Sequence, residues 1–88
     1  MRITHVRVFP IDGPNLLGYA EITIDDCFYV GDFLIFRQPS GYRFAMPRVK
    51  LKSGKYKEIA STLDAQTEKM IEEAVIAEYE KVTGKRTQ

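Results

Sequence analysis

The sequence predicts an α+β domain, a small antiparallel sheet of about five strands followed by one C-terminal helix, assembled as a dimer. Three observations carry this. Up to Lys57, apolar residues run in short alternating or β-branched stretches separated by Gly, Pro, Asp and Asn. From Asp64 onward the apolar spacing becomes that of an amphipathic helix. No other stretch has that period, and 88 residues leave room for one domain, expected at residues 1–84 with a short polar tail at 85–88.

Ile3 to Phe9 is rich in β-branched and aromatic residues and stops at Pro10, and Asp12-Gly13-Pro14-Asn15 supplies turn chemistry, so a strand and a loop are expected. Leu16 to Asp25 alternates, with Ala20, Ile22 and Ile24 on one face and Tyr19, Glu21 and Thr23 on the other, as in a half-buried strand. Asp25-Asp26 suits a reversal. Phe28 to Phe36 is more continuously apolar, which predicts a strand that is central in the sheet or covered on both faces and paired with its predecessor. Asp32 interrupts that run. A carboxylate buried there needs partners, so it is expected to anchor a hydrogen-bond network. After Gln38-Pro39-Ser40-Gly41, a short fourth strand runs from Tyr42 to Met46 and ends at Pro47, which has no N–H to give a ladder.

Arg48 to Lys52 alternates basic and apolar residues, Ser53-Gly54 turns, and Lys55-Tyr56-Lys57 continues the alternation. Because strand side chains point alternately to opposite faces, a β-ribbon is expected with its charges on one side and Val49, Leu51 and Tyr56 on the other. In the helix, Ile71, Ala74, Val75, Tyr79 and Val82 form the apolar stripe, and Glu68, Glu72, Glu73 and Glu80 lie opposite it. Asp64 is the expected N-cap and Gly84 the expected C′ residue. About 19 residues at 1.5 Å each give a rod of roughly 28 Å, long enough to cross a small sheet.

Several chemistries find no support. The single cysteine, Cys27, excludes an intramolecular disulfide, and with the single histidine, His5, it cannot supply the ligand set of a zinc site. A nucleophile–base pair of these two would lack an orienting group and oxyanion donors. Asp12, Asp25 and Asp26, which with Glu21 and Asp32 could be imagined as magnesium ligands or an acid–base pair, are better explained by turns, Asp32 being the exception. No phosphate-cradling glycine motif is present, so nucleotide hydrolysis has no visible machinery, and without a second histidine or cysteine no cofactor and no enzymatic activity are expected. Ser40-Gly41-Tyr42-Arg43-Phe44-Ala45 echoes an RNA-recognition strand, but that fold needs two helices, and an aromatic strand packed on the helix is the expectation. No signal-like segment opens the sequence and no apolar run nears the roughly 20 residues that cross a bilayer, so a cytoplasmic protein without membrane insertion is expected.

The net charge of +1 conceals a strong asymmetry. Residues 1–36 carry Arg2 and Arg7 against Asp12, Glu21, Asp25, Asp26 and Asp32, which is −3, and residues 58–88 carry four basic against seven acidic groups, again −3. Between them, Arg37, Arg43, Arg48, Lys50, Lys52, Lys55 and Lys57 stand without one acidic residue, which is +7. Such a cluster with Tyr42, Phe44 and Tyr56 nearby suits phosphates and unpaired bases. Arg43, Arg48, Lys50, Lys52, Lys55 and Lys57 are therefore the candidate nucleic-acid contacts. A lysine-rich hairpin that merely stays soluble, or that meets an acidic protein partner, has the same pattern.

Ile3-Thr4-His5-Val6-Arg7-Val8, Ala20-Glu21-Ile22-Thr23-Ile24-Asp25 with Phe28, Val30 and Asp32, Phe44-Ala45-Met46-Pro47 before a Lys-rich turn through Gly54 to Glu58-Ile59-Ala60, and Ile71-Glu72-Glu73-Ala74-Val75 with Glu78-Tyr79 follow one another in an order that resembles the SpoVG (stage V sporulation protein G) family. The resemblance spans residues 3–82, and the Ala-Met-Pro turn before the basic stretch is its most specific part. It implies an antiparallel sheet with a C-terminal helix, a dimer, and a bacterial regulator tied to cell division, sporulation or virulence control through DNA and RNA binding, without catalysis. Two departures stand out. Ser61-Thr62 replaces a proline common in the family, and Glu68 stands before Lys69 where many members place a basic residue in the first helical turn. If that turn touches nucleic acid in relatives, Glu68 repels phosphate here.

Overall fold

The computed structural model describes residues 2–39 and 41–84, so the expected tail at 85–88 lies outside the described residues. The strands are β1 (Ile3–Pro10), β2 (Leu16–Ile24), β3 (Phe28–Gln38), β4 (Gly41–Ala45), β5 (Arg48–Lys50) and β6 (Tyr56–Glu58), and the helix is α1 (Ala65–Thr83). The first four form one antiparallel sheet in the order β1-β2-β3-β4, while β5 and β6 pair only with each other. The single sheet expected from the sequence is thus divided into four strands and a separate ribbon. Pro47 is the reason: it is buried just past β4, cannot donate to a ladder, and its carbonyl accepts from the Ile59 N–H at 2.9 Å, closing the root of the ribbon.

The sheet's inner face and the helix make the core. Val8, Leu17, Ala20, Ile22, Phe33 and Ile35 pack with Met46 and with Ile71, Val75 and Tyr79 of α1. Ala20, Ile22 and Ile24 do face inward, opposite Tyr19, Glu21 and Thr23. Phe33 stacks on Phe44 and Tyr42 meets Tyr79 edge to face, with ring centroids 5.3 and 5.1 Å apart, so the aromatics of β4 pack against the core as expected. Along the helix, Ile71, Val75 and Tyr79 are buried as expected, whereas Val82 is half exposed and Ile76 packs on the core in its place. No helix among the described residues is long and apolar enough to cross a membrane.

Local chemistry fixes the turns. Asp25 and Asp26 both adopt positive φ, 52° and 55°, and the Cys27 N–H closes the reversal on the Ile24 carbonyl at 3.0 Å. The start of β1 clamps this turn. Arg2 N–H donates to Asp25 Oδ1 at 2.9 Å, Asp25 N–H to the Arg2 carbonyl at 2.8 Å, and Asp26 N–H to Thr4 Oγ1 at 3.0 Å. Asp32 departs from expectation: it is exposed. Gly31 and Asp32 together stand opposite Glu21, which makes a β-bulge, and Asp32 occupies the left-handed region at φ 63°, a conformation that Asp tolerates better than most side chains. β3 is central, and only its second half is covered on both edges, because β4 pairs with residues 34–38 alone.

Candidate nucleic-acid interface

The ribbon leaves the sheet at Pro47 and projects with almost every side chain exposed. Its turn is tight, with the Gly54 N–H donating to the Leu51 carbonyl at 3.0 Å and Gly54 at φ 91°, so Lys52 sits at the tip and belongs to neither strand face. The register then decides where the cations point. Arg48 is opposite Glu58, Val49 opposite Lys57, and Lys50 opposite Tyr56. Directly paired residues share a face. One face therefore carries Arg48 and Lys50 with Tyr56 and Glu58, and the other carries Val49 and Leu51 with Lys55 and Lys57. This corrects the one-sided cationic ribbon expected from alternation, and Tyr56 lies beside Lys50 instead of with Val49. Alternation within each arm was sound. The two arms are offset by the turn length, which alternation alone does not contain.

The candidate contacts differ in availability. Lys50, Lys52, Lys55 and Lys57 are exposed, and among the described residues none of them is in an ion pair. Arg48 is half-buried at the ribbon root, and its Nε is buried without a hydrogen-bond partner. Arg43 stands apart from the ribbon. It lies on the outer face of β4 with its guanidinium 5.0 Å above the Phe36 ring. Glu68 is exposed in the first turn of α1, where a carboxylate complements the helix dipole.

Arg43 belongs to a second surface, one that the sequence reading did not assemble. On the sheet face turned away from α1, the register aligns Phe9, Tyr19, Leu34 and Ala45 in one row and Leu16, Phe36 and Arg43 in another. Phe9 and Tyr19 are 42% and 40% exposed. Arg7 lies 5.1 Å above the Phe9 ring and 3.7 Å from Glu21, which also accepts a hydrogen bond from the Tyr29 hydroxyl. That hydrogen bond holds the Tyr29 phenol above its usual range. Alternation along β2 marked Tyr19 as outward, but only the pairing partners show which rings and guanidiniums share the face.

The small acid–base candidates resolve into turn chemistry. The His5 ring lies 3.5 Å from Asp26, and both side chains are more than 70% exposed. Cys27 is a free, exposed thiol at the β2–β3 turn. Among the described residues, no group of three or more His, Cys, Asp and Glu side chains converges where a metal ion fits.

Comparison with known proteins agrees with this arrangement of motifs. The family model described as SpoVG matches residues 1–81. The Myxococcus xanthus protein named "Putative septation protein SpoVG" is 42% identical over 81 residues, 92% of this chain and 82% of that protein. The protein of the same name from Anaeromyxobacter sp. (strain Fw109-5) is 41% identical over 81 residues, covering 92% and 84% of the two chains. That of Treponema denticola is 38% identical over 82 residues, covering 92% and 88%. The match takes in the sheet, the basic ribbon and nearly all of the helix, and the chain belongs to the SpoVG family.

Proposed function

We propose that this chain is a non-enzymatic bacterial regulatory protein that works as a homodimer, binds DNA or RNA in the cytoplasm through phosphate contacts from the β5–β6 ribbon, and serves septation or sporulation-type gene control. The septation link comes from the name its relatives carry. One observation carries the rest: the seven cations from Arg37 to Lys57 are uninterrupted by any carboxylate, and the four ribbon lysines are exposed and unpaired among the described residues. Lysines in that state attract phosphate and release its condensed counterions. The face with Lys50 also offers the Tyr56 ring, 62% exposed, beside the ammonium group.

Dimer formation is supported at the β3 edge. From Phe28 to Phe33 that edge has β2 on one side and no strand on the other among the described residues. Around it lie Phe28 and Tyr29, 60% and 61% exposed, Ile59, and the fully exposed Leu63, beside a groove of about 330 Å³ lined by Ile22, Ile24, Val30 and Met46. The same apolar surface favours a second reading, a septation adaptor that binds a protein partner without touching nucleic acid directly.

Gel-shift titration with duplex DNA, single-stranded DNA and RNA at two salt concentrations separates the readings. Phosphate contacts from the four exposed lysines of an engaged subunit correspond to a log-affinity against log-salt slope of about −3 to −4 on duplex DNA. Lys50→Glu combined with Lys52→Glu is expected to abolish retention of duplex DNA while leaving the oligomeric state unchanged. Binding indifferent to salt, or unchanged in that variant, overturns the ribbon as the site.

A further inference from the structure

We infer that the outer face of the four-stranded sheet is a separate binding surface for single-stranded nucleic acid, with bases stacking on Phe9, Tyr19 and Phe36 and with Arg7 and Arg43 serving as planar, cationic flanks. This rests on the nucleic-acid reading above but concerns a different surface from the ribbon.

Four features of the face support it. Phe9 and Tyr19 are cross-strand partners, so their rings stand side by side on adjacent strands. Phe36 lies one row further along β3, roughly 7 Å away at two residues of strand rise. Each flanking guanidinium already lies over a phenylalanine ring, Arg7 on Phe9 and Arg43 on Phe36. A guanidinium held flat in this way presents a second stacking plane to a base and N–H groups to a phosphate. The carboxylate in the middle of the face, Glu21, is engaged by Arg7 and by the Tyr29 hydroxyl, which blunts its repulsion of phosphate. Asp32, exposed at the bulge opposite Glu21, is the second carboxylate of the face and marks the end of the platform.

Charge decides between a nucleic acid strand and a second copy of this chain as the occupant. Packing two copies face to face would bury Arg43 of each copy away from the carboxylates of its own face, since Glu21 is engaged by Arg7 and the Tyr29 hydroxyl and Asp32 lies at the bulge, four residues along β3 from Phe36, and a buried unpaired charge is costly. A phosphate supplies the anion that Arg43 lacks. Duplex nucleic acid keeps its bases stacked inside and cannot use the rings, so the face selects unpaired strands.

The experiment uses the full chain with three fluorescent probes: a pyrimidine-rich RNA dodecamer, the DNA dodecamer of the same sequence, and a DNA duplex. Phe9→Ala combined with Tyr19→Ala is expected to weaken binding of both single strands by about tenfold or more, from the usual contribution of base–aromatic stacking. Duplex binding should stay within twofold of wild type. Tyr19→Phe, which keeps the ring, should retain single-strand affinity. A Phe9→Trp variant adds a direct reporter, since the chain has no tryptophan: its emission should be quenched by single strands and unchanged by duplex. The RNA and DNA arms show which polymer the face prefers. Wild-type single-strand affinity in the double-alanine variant, or equal loss on all three probes, overturns this inference and leaves the ribbon reading intact. Conversion of a dimer to a monomer by the double-alanine variant in sedimentation also overturns it, because the face would then be a contact between copies. Failure of the wild-type chain to bind any probe overturns both this inference and the nucleic-acid reading.

Discussion

Asp64 does at the start of α1 what its side chain and position allow. Its Oδ1 accepts from the Thr67 N–H at 2.6 Å, and that hydrogen bond holds its carboxyl below the ordinary carboxylate range. The cap's contribution is therefore fully present above the unfolded pKa of about 4 and is lost as pH falls through the lower folded value. Asp64→Ala is expected to lower Tm by a few degrees at neutral pH. The difference from wild type should shrink in thermal melts at pH 2.5, and an unchanged gap would contradict the carboxylate cap. At the other end of α1, Gly84 takes φ 74° and its N–H donates to the Glu80 carbonyl at 2.8 Å, so the helix stops where its glycine permits. These two residues were legible because capping is local. Asp32 was not, because the same residue type serves a buried network or an exposed bulge, and the choice rests on pairing with Glu21 across the sheet. In the core, Ile35 is fully buried, and Ile35→Ala should cost about 2–5 kcal/mol in denaturant unfolding.

The ribbon is the element in which local pattern and pairing diverge. Alternation in each arm is visible in the residues, but the turn through Gly54 sets Lys50 against Tyr56 and Val49 against Lys57, so the two arms send their lysines to opposite faces. Single charge reversals can tell the faces apart. If phosphate is held by one face, Lys50→Glu and Lys57→Glu will differ in the salt slope that they remove, each lost contact being worth about 0.9 on duplex DNA. The face of Lys57 is expected to lose more, because Lys55 shares it and no carboxylate does, whereas Glu58 stands opposite Arg48 on the face of Lys50. Equal losses would show that both faces meet phosphate. Since β5 and β6 pair with no strand of the main sheet, either reversal should leave the thermal melt within a few degrees of wild type.

Across the whole molecule, the sheet has two unfinished surfaces with different chemistry. The β3 edge is apolar from Phe28 to Val30, ahead of the Gly31-Asp32 bulge, and is flanked by Ile59 and Leu63, whereas the outer face mixes aromatic rings with guanidiniums. Edge strands invite pairing with another chain, and Phe28 to Val30, ahead of the bulge, carry no lysine, proline or other charge to prevent it. Leu63→Asp, at a fully exposed site, costs the monomer little, and so it tests the assembly directly. Sedimentation velocity is expected to show a wild-type dimer and a variant shifted toward monomer, with far-ultraviolet circular dichroism unchanged. A variant that remains a dimer would place the contact elsewhere.

By itself the sequence determined what depends on neighbours along the chain: the strands and turns in order, the capped helix, the burial stripe of Ile71, Val75 and Tyr79, and the cationic segment from Arg37 to Lys57. Period, capping and charge density are all local quantities. The tertiary structure decided which side chains share a face. It separated the ribbon from the sheet, divided the lysines between two sides, exposed Asp32, and brought Phe9, Tyr19, Phe36, Arg7 and Arg43 together from four strands. Those outcomes follow from register, and a strand's register is set by the partner it meets and by the length of the turn that brings them together.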